Sequence, residues 1–215
     1  MGKEIRKVTL ERDEAQVQQD LERYRDKAIE LGATRSRIVR VDELTVDERV
    51  TLKCRIPRCF GYGVCGHCPP HTLTPAELRE VLKKYQWAIF FTKDVPPEVI
   101  VRDRATIKER TAAYMDLIDI VNQIESLAFY DGYYLSVGFS AGSCRHTFCA
   151  KDQTCRVMEG GRCRFPLKAR PSMEAVGFDV YKLVAASGWD IYPIGSDALP
   201  EDMPKGTLAG IIIIT

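Results

Sequence analysis

The chain has 215 residues, is 45% hydrophobic and carries a formal net charge of +1. That length suits one domain or two small ones with a buried core, and the near-neutral balance excludes a global field that would recruit nucleic acid or a membrane surface. The start, MGKEIRKVTLERDE, lacks the apolar stretch of a signal peptide, and the longest apolar run, Ile211 to Ile214, is far too short to span a bilayer, so the expectation is a soluble cytoplasmic protein.

From Glu14 to Leu31, Val17, Leu21, Tyr24, Ala28 and Leu31 recur at helical intervals among charged neighbours, and Gly32 is placed to end the helix. Arg37 to Val41 reads as a short strand, and 45–53 fits helix or strand. Thr74-Pro75-Ala76-Glu77 has the form of a capping box with proline at the first helical position, which predicts a helix to about Lys84. Trp87 to Thr92 is a buried strand ended by Asp94-Val-Pro-Pro. A long helical pattern runs from Glu98 to about Phe129, its stripe made of Ile107, Tyr114, Leu117, Val121, Ile124 and Ala128, with Arg102, Asp103, Arg104, Lys108, Glu109 and Arg110 crowding its early turns. Tyr133 to Phe139 reads as a strand. Pro171 or Ser172 opens a helix that buries Met173, Val176, Val180 and Leu183, and Trp189 to Ile194 and Leu208 to Ile214 are strand candidates.

Helices and strands alternate, which predicts a single α/β domain over 1–215, a sandwich with a mixed or mainly parallel sheet. A proline, a helix and a Trp-led strand follow each of two cysteine-rich segments, Trp87-Ala-Ile-Phe in one half and Trp189-Asp-Ile-Tyr in the other. The expectation is two pseudo-repeated halves, each carrying one cysteine-rich metal loop.

Those loops, 54–68 and 144–163, hold all eight cysteines. Cys54, Cys59, Cys65 and Cys68 are separated by four, five and two residues, and Cys144, Cys149, Cys155 and Cys163 by four, five and seven. The first three of each quartet share the pattern C-R-x3-C-x5-C. In a reducing cytosol structural disulfides are disfavoured, and clustered thiols there read as metal ligands or redox groups.

Two kinds of centre compete. Zinc wants a tetrahedron, commonly from C-x2-C knuckles, and only Cys65-Gly-His-Cys68 supplies one. A 4Fe-4S cubane accepts longer, unequal spacings, and Cys68-Pro69 echoes the ferredoxin run that ends in Cys-Pro. The reading preferred is two 4Fe-4S clusters on the two quartets, with two zinc ions as the alternative. Arg55, Arg58, Arg145, Lys151, Arg156, Arg162, Arg164, Lys168 and Arg170 flank the sulfurs. They stabilise an anionic cluster, form a solvated face, or dock an acidic partner. His67, His71 and His146, the three histidines of the chain, all lie in or beside the loops. They are hydrogen-bond donors to the sulfurs or loop residues, and His146 is a substitute ligand in the zinc reading. Phe60 and Tyr62 shield the first centre or simply pack. No dinucleotide, P-loop or H-E-x-x-H motif occurs, and nothing names a substrate.

Cys59-Phe-Gly-Tyr-Gly leading to Cys68-Pro-Pro-His, together with the run from Gly161-Arg-Cys163-Arg-Phe-Pro to Gly-Phe-Asp-Val, resembles the predicted metal-binding proteins of bacteria and archaea grouped as a domain of unknown function (DUF2284), many of them from anaerobes. The resemblance spans most of the chain. It implies metal binding through these cysteines and a soluble location, and no settled activity.

Three functional classes follow. The first is a two-cluster electron carrier or reductive accessory to a redox partner protein. The second is a zinc-held interaction module. The third is an enzyme whose cluster keeps one open iron position as a Lewis acid.

Overall fold

The computed structural model describes residues 5–9, 11–101, 107–195 and 197–215. Among them the chain forms seven α-helices and four strands. In order these are α1 (Glu14–Glu30), β1 (Arg35–Arg40), α2 (Glu48–Arg55), α3 (Pro75–Leu82), β2 (Trp87–Val95), α4 (Pro97–Ile100), α5 (Ile107–Tyr130), β3 (Val137–Phe139), α6 (Cys144–Phe148), α7 (Val180–Ala186) and β4 (Gly206–Ile213).

The sheet has the order β1-β2-β4-β3, and every pairing in it is antiparallel. This corrects the expected mixed or mainly parallel sheet. The reason lies in where the last strand goes. β2 and β3 are both antiparallel to β4, so they run in the same direction, as two strands joined by a helical crossover such as α5 should. β4 inserts between them, and the parallel pair never becomes neighbours.

Helices cover both faces. Ile89 and Phe91 of β2 and Leu208 and Ile212 of β4 point into one core with Leu21 and Tyr24 of α1 and Leu117, Val121 and Ile124 of α5. Ala88 and Phe90, with Ala209, Ile211 and Ile213, point into the other with Leu78 and Leu82 of α3, Met173, Val176 and Leu183. Both faces being buried, the inner strands are apolar at nearly every position. That pattern is usual in parallel sheets, but here two-sided helix cover produces it. Gly210 lets α5 come close: a Cβ there would stand 2.6 Å from Phe91 Cζ and 3.0 Å from Val121 Cγ2.

The capping box at the start of α3 forms as expected, Glu77 N donating to Thr74 Oγ1 at 3.2 Å and Thr74 N to Glu77 Oε2 at 2.8 Å. The helix expected from Glu98 is represented by α4 and α5, and its Arg102, Asp103 and Arg104 lie outside the described residues. The helix expected from Pro171 breaks into a 3-10 turn, Glu174–Val176, and α7, because Gly177 takes a φ of 102° and Asp179 caps anew by accepting from Lys182 N. Trp189 to Ile194 forms no strand. Instead Trp189 stacks on Phe90, centroids 5.5 Å apart, as a lid on the core. The Tyr133–Phe139 strand shrinks to β3.

At one end of α1 and α5, charges are buried in matched sets. Asp20, 1% exposed, accepts from Arg6 at 2.8 Å, Arg23 at 3.0 Å and Tyr133 OH at 3.1 Å. Asp131 accepts from Tyr24 OH at 2.7 Å and from Arg23. Burial opposes charge on Asp20, but the hydrogen bonds from Arg23 and Arg6 outweigh it and hold its pKa below the usual carboxylate value.

The order helix, edge strand, cysteine segment, helix, inner strand occurs twice, as α1-β1-54–68-α3-β2 and as α5-β3-144–163-α7-β4. Each cysteine segment thus lies in the connection from an edge strand to the inner strand beside it.

Candidate metal centre

The first segment begins inside α2, whose last turn carries Cys54, and then turns back on itself: Cys59 N donates to Cys54 O at 2.8 Å and Cys68 N to Cys65 O at 3.2 Å. Arg58 sits at φ 94°, a left-handed conformation that a bulky side chain adopts only when its surroundings impose it. Gly61 N donates to Cys59 Sγ at 3.4 Å. Cys65 and Cys68 are buried and Cys59 is exposed.

The second segment leaves β3 through Ser140, which pairs with 171–173, and runs beside α5. Arg170 forms a two-pronged ion pair with Glu125 at 2.8 and 2.9 Å, and Asn122 Nδ2 donates to Lys168 O at 3.1 Å. Cys144 opens α6, Cys149 ends it, Cys155 precedes the 3-10 turn Arg156–Glu159, and Phe165 N donates to Cys163 Sγ at 3.4 Å.

The two segments meet. Ser143 Oγ lies 3.5 Å from Cys68 Sγ and 3.9 Å from Cys65 Sγ, and Cys144 Sγ lies 3.5 Å from His67 Nδ1. Phe60 and His146 pack edge to face with centroids 4.6 Å apart. A cavity of about 380 Å³ opens at this seam, lined by Phe60, Val64, Arg145, His146, Cys155 and Met158. Larger hollows of about 620 and 790 Å³ lie elsewhere on the surface, without any of the eight cysteines in their walls.

Electrostatics follow the contacts. Cys65 is held well below the ordinary thiol range, chiefly by hydrogen bonds from the thiols of Cys144 and Cys68. Its partners move the other way: Cys144 and Cys68 are both raised, first by donating to Cys65 and then by burial. Burial pushes Cys54 up to about 11, with Cys59 adding to it. Burial, and then Asp152, raises Cys149. His67 and His146 are lowered by burial and so favour the neutral imidazole.

The donor chemistry fits a soft or borderline metal. All eight cysteines are free thiols, and thiolates select zinc, copper(I) and iron–sulfur centres over hard cations. The separations do not yet close a site: among the described residues no three His, Cys, Asp or Glu side chains stand in the arrangement of one ion's ligands. Thiolate sites commonly close only as the metal binds. The spacing pattern pointed to the cysteines but not to Ser143, whose hydroxyl touches both buried sulfurs, nor to Glu174, whose carboxyl burial raises and which acts on Cys54. Only adjacency to Cys144 could have marked Ser143.

A four-stranded antiparallel sheet covered by helices, with a cysteine-rich end fit for thiolate-held metal, is the class these observations define. The model of the predicted metal-binding protein family DUF2284 matches residues 37–214, and the chain belongs to that family. No curated protein and no solved structure matches it. No helix among the described residues is long and apolar enough to cross a membrane.

Proposed function

We propose that the protein is an iron–sulfur carrier whose eight cysteines hold two 4Fe-4S clusters and which exchanges electrons with an acidic partner protein. The observation that carries this reading is the seam itself: Ser143, next to Cys144, touches the sulfurs of Cys65 and Cys68. Two centres built on these segments are therefore neighbours, as a relay requires. When bound, each cluster supplies a one-electron redox couple tuned by hydrogen bonds and solvent exposure. The amides of Gly61 and Phe165, already directed at Cys59 and Cys163, are such hydrogen bonds.

Charge supports the partner. Residues 53–73 contain three basic and no acidic side chains, and 144–170 contain seven basic and two acidic. The rest of the chain holds 21 basic and 28 acidic residues. The cysteine end is thus strongly positive on a protein that is otherwise negative, and exposed apolar groups such as Ile56, Phe60 and Leu167 lie in the same segments. A basic surface with apolar contacts suits rapid, oriented docking of an acidic protein.

A zinc reading is favoured by one observation, the convergence of Cys65, Cys68 and Cys144 on the Ser143 hydroxyl and the His67 ring. Sulfurs around a tetrahedral zinc at about 2.3 Å stand only about 3.8 Å apart. The test is anaerobic purification followed by iron, sulfide and zinc analysis with visible absorption and spin-resonance spectra. Iron and sulfide in equal amounts, with charge-transfer absorbance that bleaches on reduction, are expected. Colourless protein containing zinc and no iron would overturn the cluster reading in favour of the zinc one, and protein without metal would overturn both.

A further inference from the structure

We propose that one metal centre is assembled across the two cysteine segments, with Cys65 and Cys68 from the first and Cys144 from the second as its ligands, instead of each segment filling a centre with its own four sulfurs. The inference rests on the metal-binding reading above and concerns which sulfurs share a centre, whatever the metal.

Sequence spacing groups Cys144 with Cys149, Cys155 and Cys163; space groups it with the other segment. Ser143 Oγ is 3.5 Å from Cys68 Sγ and 3.9 Å from Cys65 Sγ, and the next Cα along the chain, that of Cys144, is about 3.8 Å from that of Ser143. The Cys144 sulfur itself reaches His67, the residue between Cys65 and Cys68, at 3.5 Å. Gly61 is the third piece of backbone at this point: a Cβ there would stand 3.2 Å from Cys68 Sγ and 3.7 Å from Ser143 Cβ, so the first segment's backbone comes to van der Waals distance of the second. A Cβ on Gly66 would likewise stand 2.8 Å from Val157 Cγ1 of the second segment.

The fourth position of the shared centre falls to one of the remaining cysteines of the two segments. In this arrangement the metal is the clamp between the segments, and losing a ligand from either one releases both.

Counting metal in a double-variant cycle on the full chain, purified anaerobically, separates the two arrangements. For the shared centre, Cys68→Ser and Cys144→Ser should each remove about half of the bound metal, and the double variant should remove no more than either alone, since both act on one unit. A double variant that loses twice what a single loses overturns the proposal, because the two sulfurs then belong to independent centres. Cys68→Ser with Cys149→Ser is the control: additive loss is expected, and a non-additive result there, meaning one collapse whichever cysteine is changed, also overturns it.

Should a variant not fold by far-UV circular dichroism, the wild-type protein decides. It is titrated with chelator, alkylated with iodoacetamide and mapped by mass spectrometry. Cys144 losing protection in step with Cys65 and Cys68, and apart from Cys149, supports the shared centre. Cys144 moving with Cys149, or all eight moving together, overturns it. Wild-type protein that carries no metal at all would instead sink the function proposed above.

Discussion

The buried charges beside α1 and α5 and the buried thiols at the seam are opposite solutions to one problem. Asp20 and Asp131 are carboxylates with almost no exposure to water, and the chain supplies their partners: Arg6, Arg23, Tyr24 and Tyr133. Buried charges persist only when paired and hydrogen-bonded, and here the pairing is complete within the fold. Cys65, Cys68 and Cys144 are buried or partly buried too, but the partners their sulfurs find are the Ser143 hydroxyl and the His67 ring. Among the described residues no lysine or arginine is hydrogen-bonded to the Cys65 sulfur the way Arg6 is to Asp20. One region is finished by its own sequence, and the other by what it binds.

That contrast is broken most severely in the core shared by neither. Phe90 is fully buried on the inner strand β2 and carries Trp189 stacked on it. Phe90→Ala is expected to cost about 3–5 kcal/mol of stability, read as a lowered denaturant midpoint, while metal per folded chain stays constant. Metal loss in the folded variant would show that the cysteine end depends on the sheet more tightly than the contrast allows.

Removing a partner from the finished network should cost less. Asp20→Asn is expected to destabilise by about 2 kcal/mol at neutral pH, below the usual range for a broken buried pair because Arg6 and Arg23 are each more than a third exposed. Its pH dependence has a definite sign. The folded pKa of Asp20 lies below its ordinary 3.8, so its contribution is fully present above that value and is lost as pH falls through the folded pKa. The gap between wild type and Asp20→Asn should therefore close in acid. A gap that is constant from neutral to acid pH would mean that shape, not charge, holds this end together.

The smallest effect is expected at the unfinished region. Chelation should raise local opening of 54–68 and 144–163 roughly tenfold, about 1.4 kcal/mol, seen as faster proteolysis and hydrogen exchange there, with protection of β2 and β4 unchanged. Equal loss of protection across the sheet would place the metal in the folding core and erase the distinction drawn here.

Much of the scaffold was readable from local chemistry. The stripe of Val17, Leu21, Tyr24 and Ala28 gives α1, and Thr74-Pro75-Ala76-Glu77 gives the start of α3, because helix periodicity and end capping are decided within a few residues. The run 208–214 announces a buried strand, though not its neighbours. Strand direction was not readable: β2, α5 and β3 satisfy the rule for a parallel crossover, and a segment some seventy residues later enters between the strands. Trp189 to Ile194 has strand composition, yet the Trp189 ring does its work on Phe90 and the backbone joins no sheet.

The sequence by itself determined that this chain has eight thiols in two runs, that those runs fall between strands and helices, and that the charge beside them is positive. All of these are properties of neighbours along the chain. Only the tertiary structure decided that β4 lies between β2 and β3 and that Ser143 and Cys144 come to rest on Cys65 and Cys68. Those pairings join residues 72 to 125 positions apart, and their free energy comes from burying surfaces that no local pattern names, the two faces of one sheet and the seam between two loops.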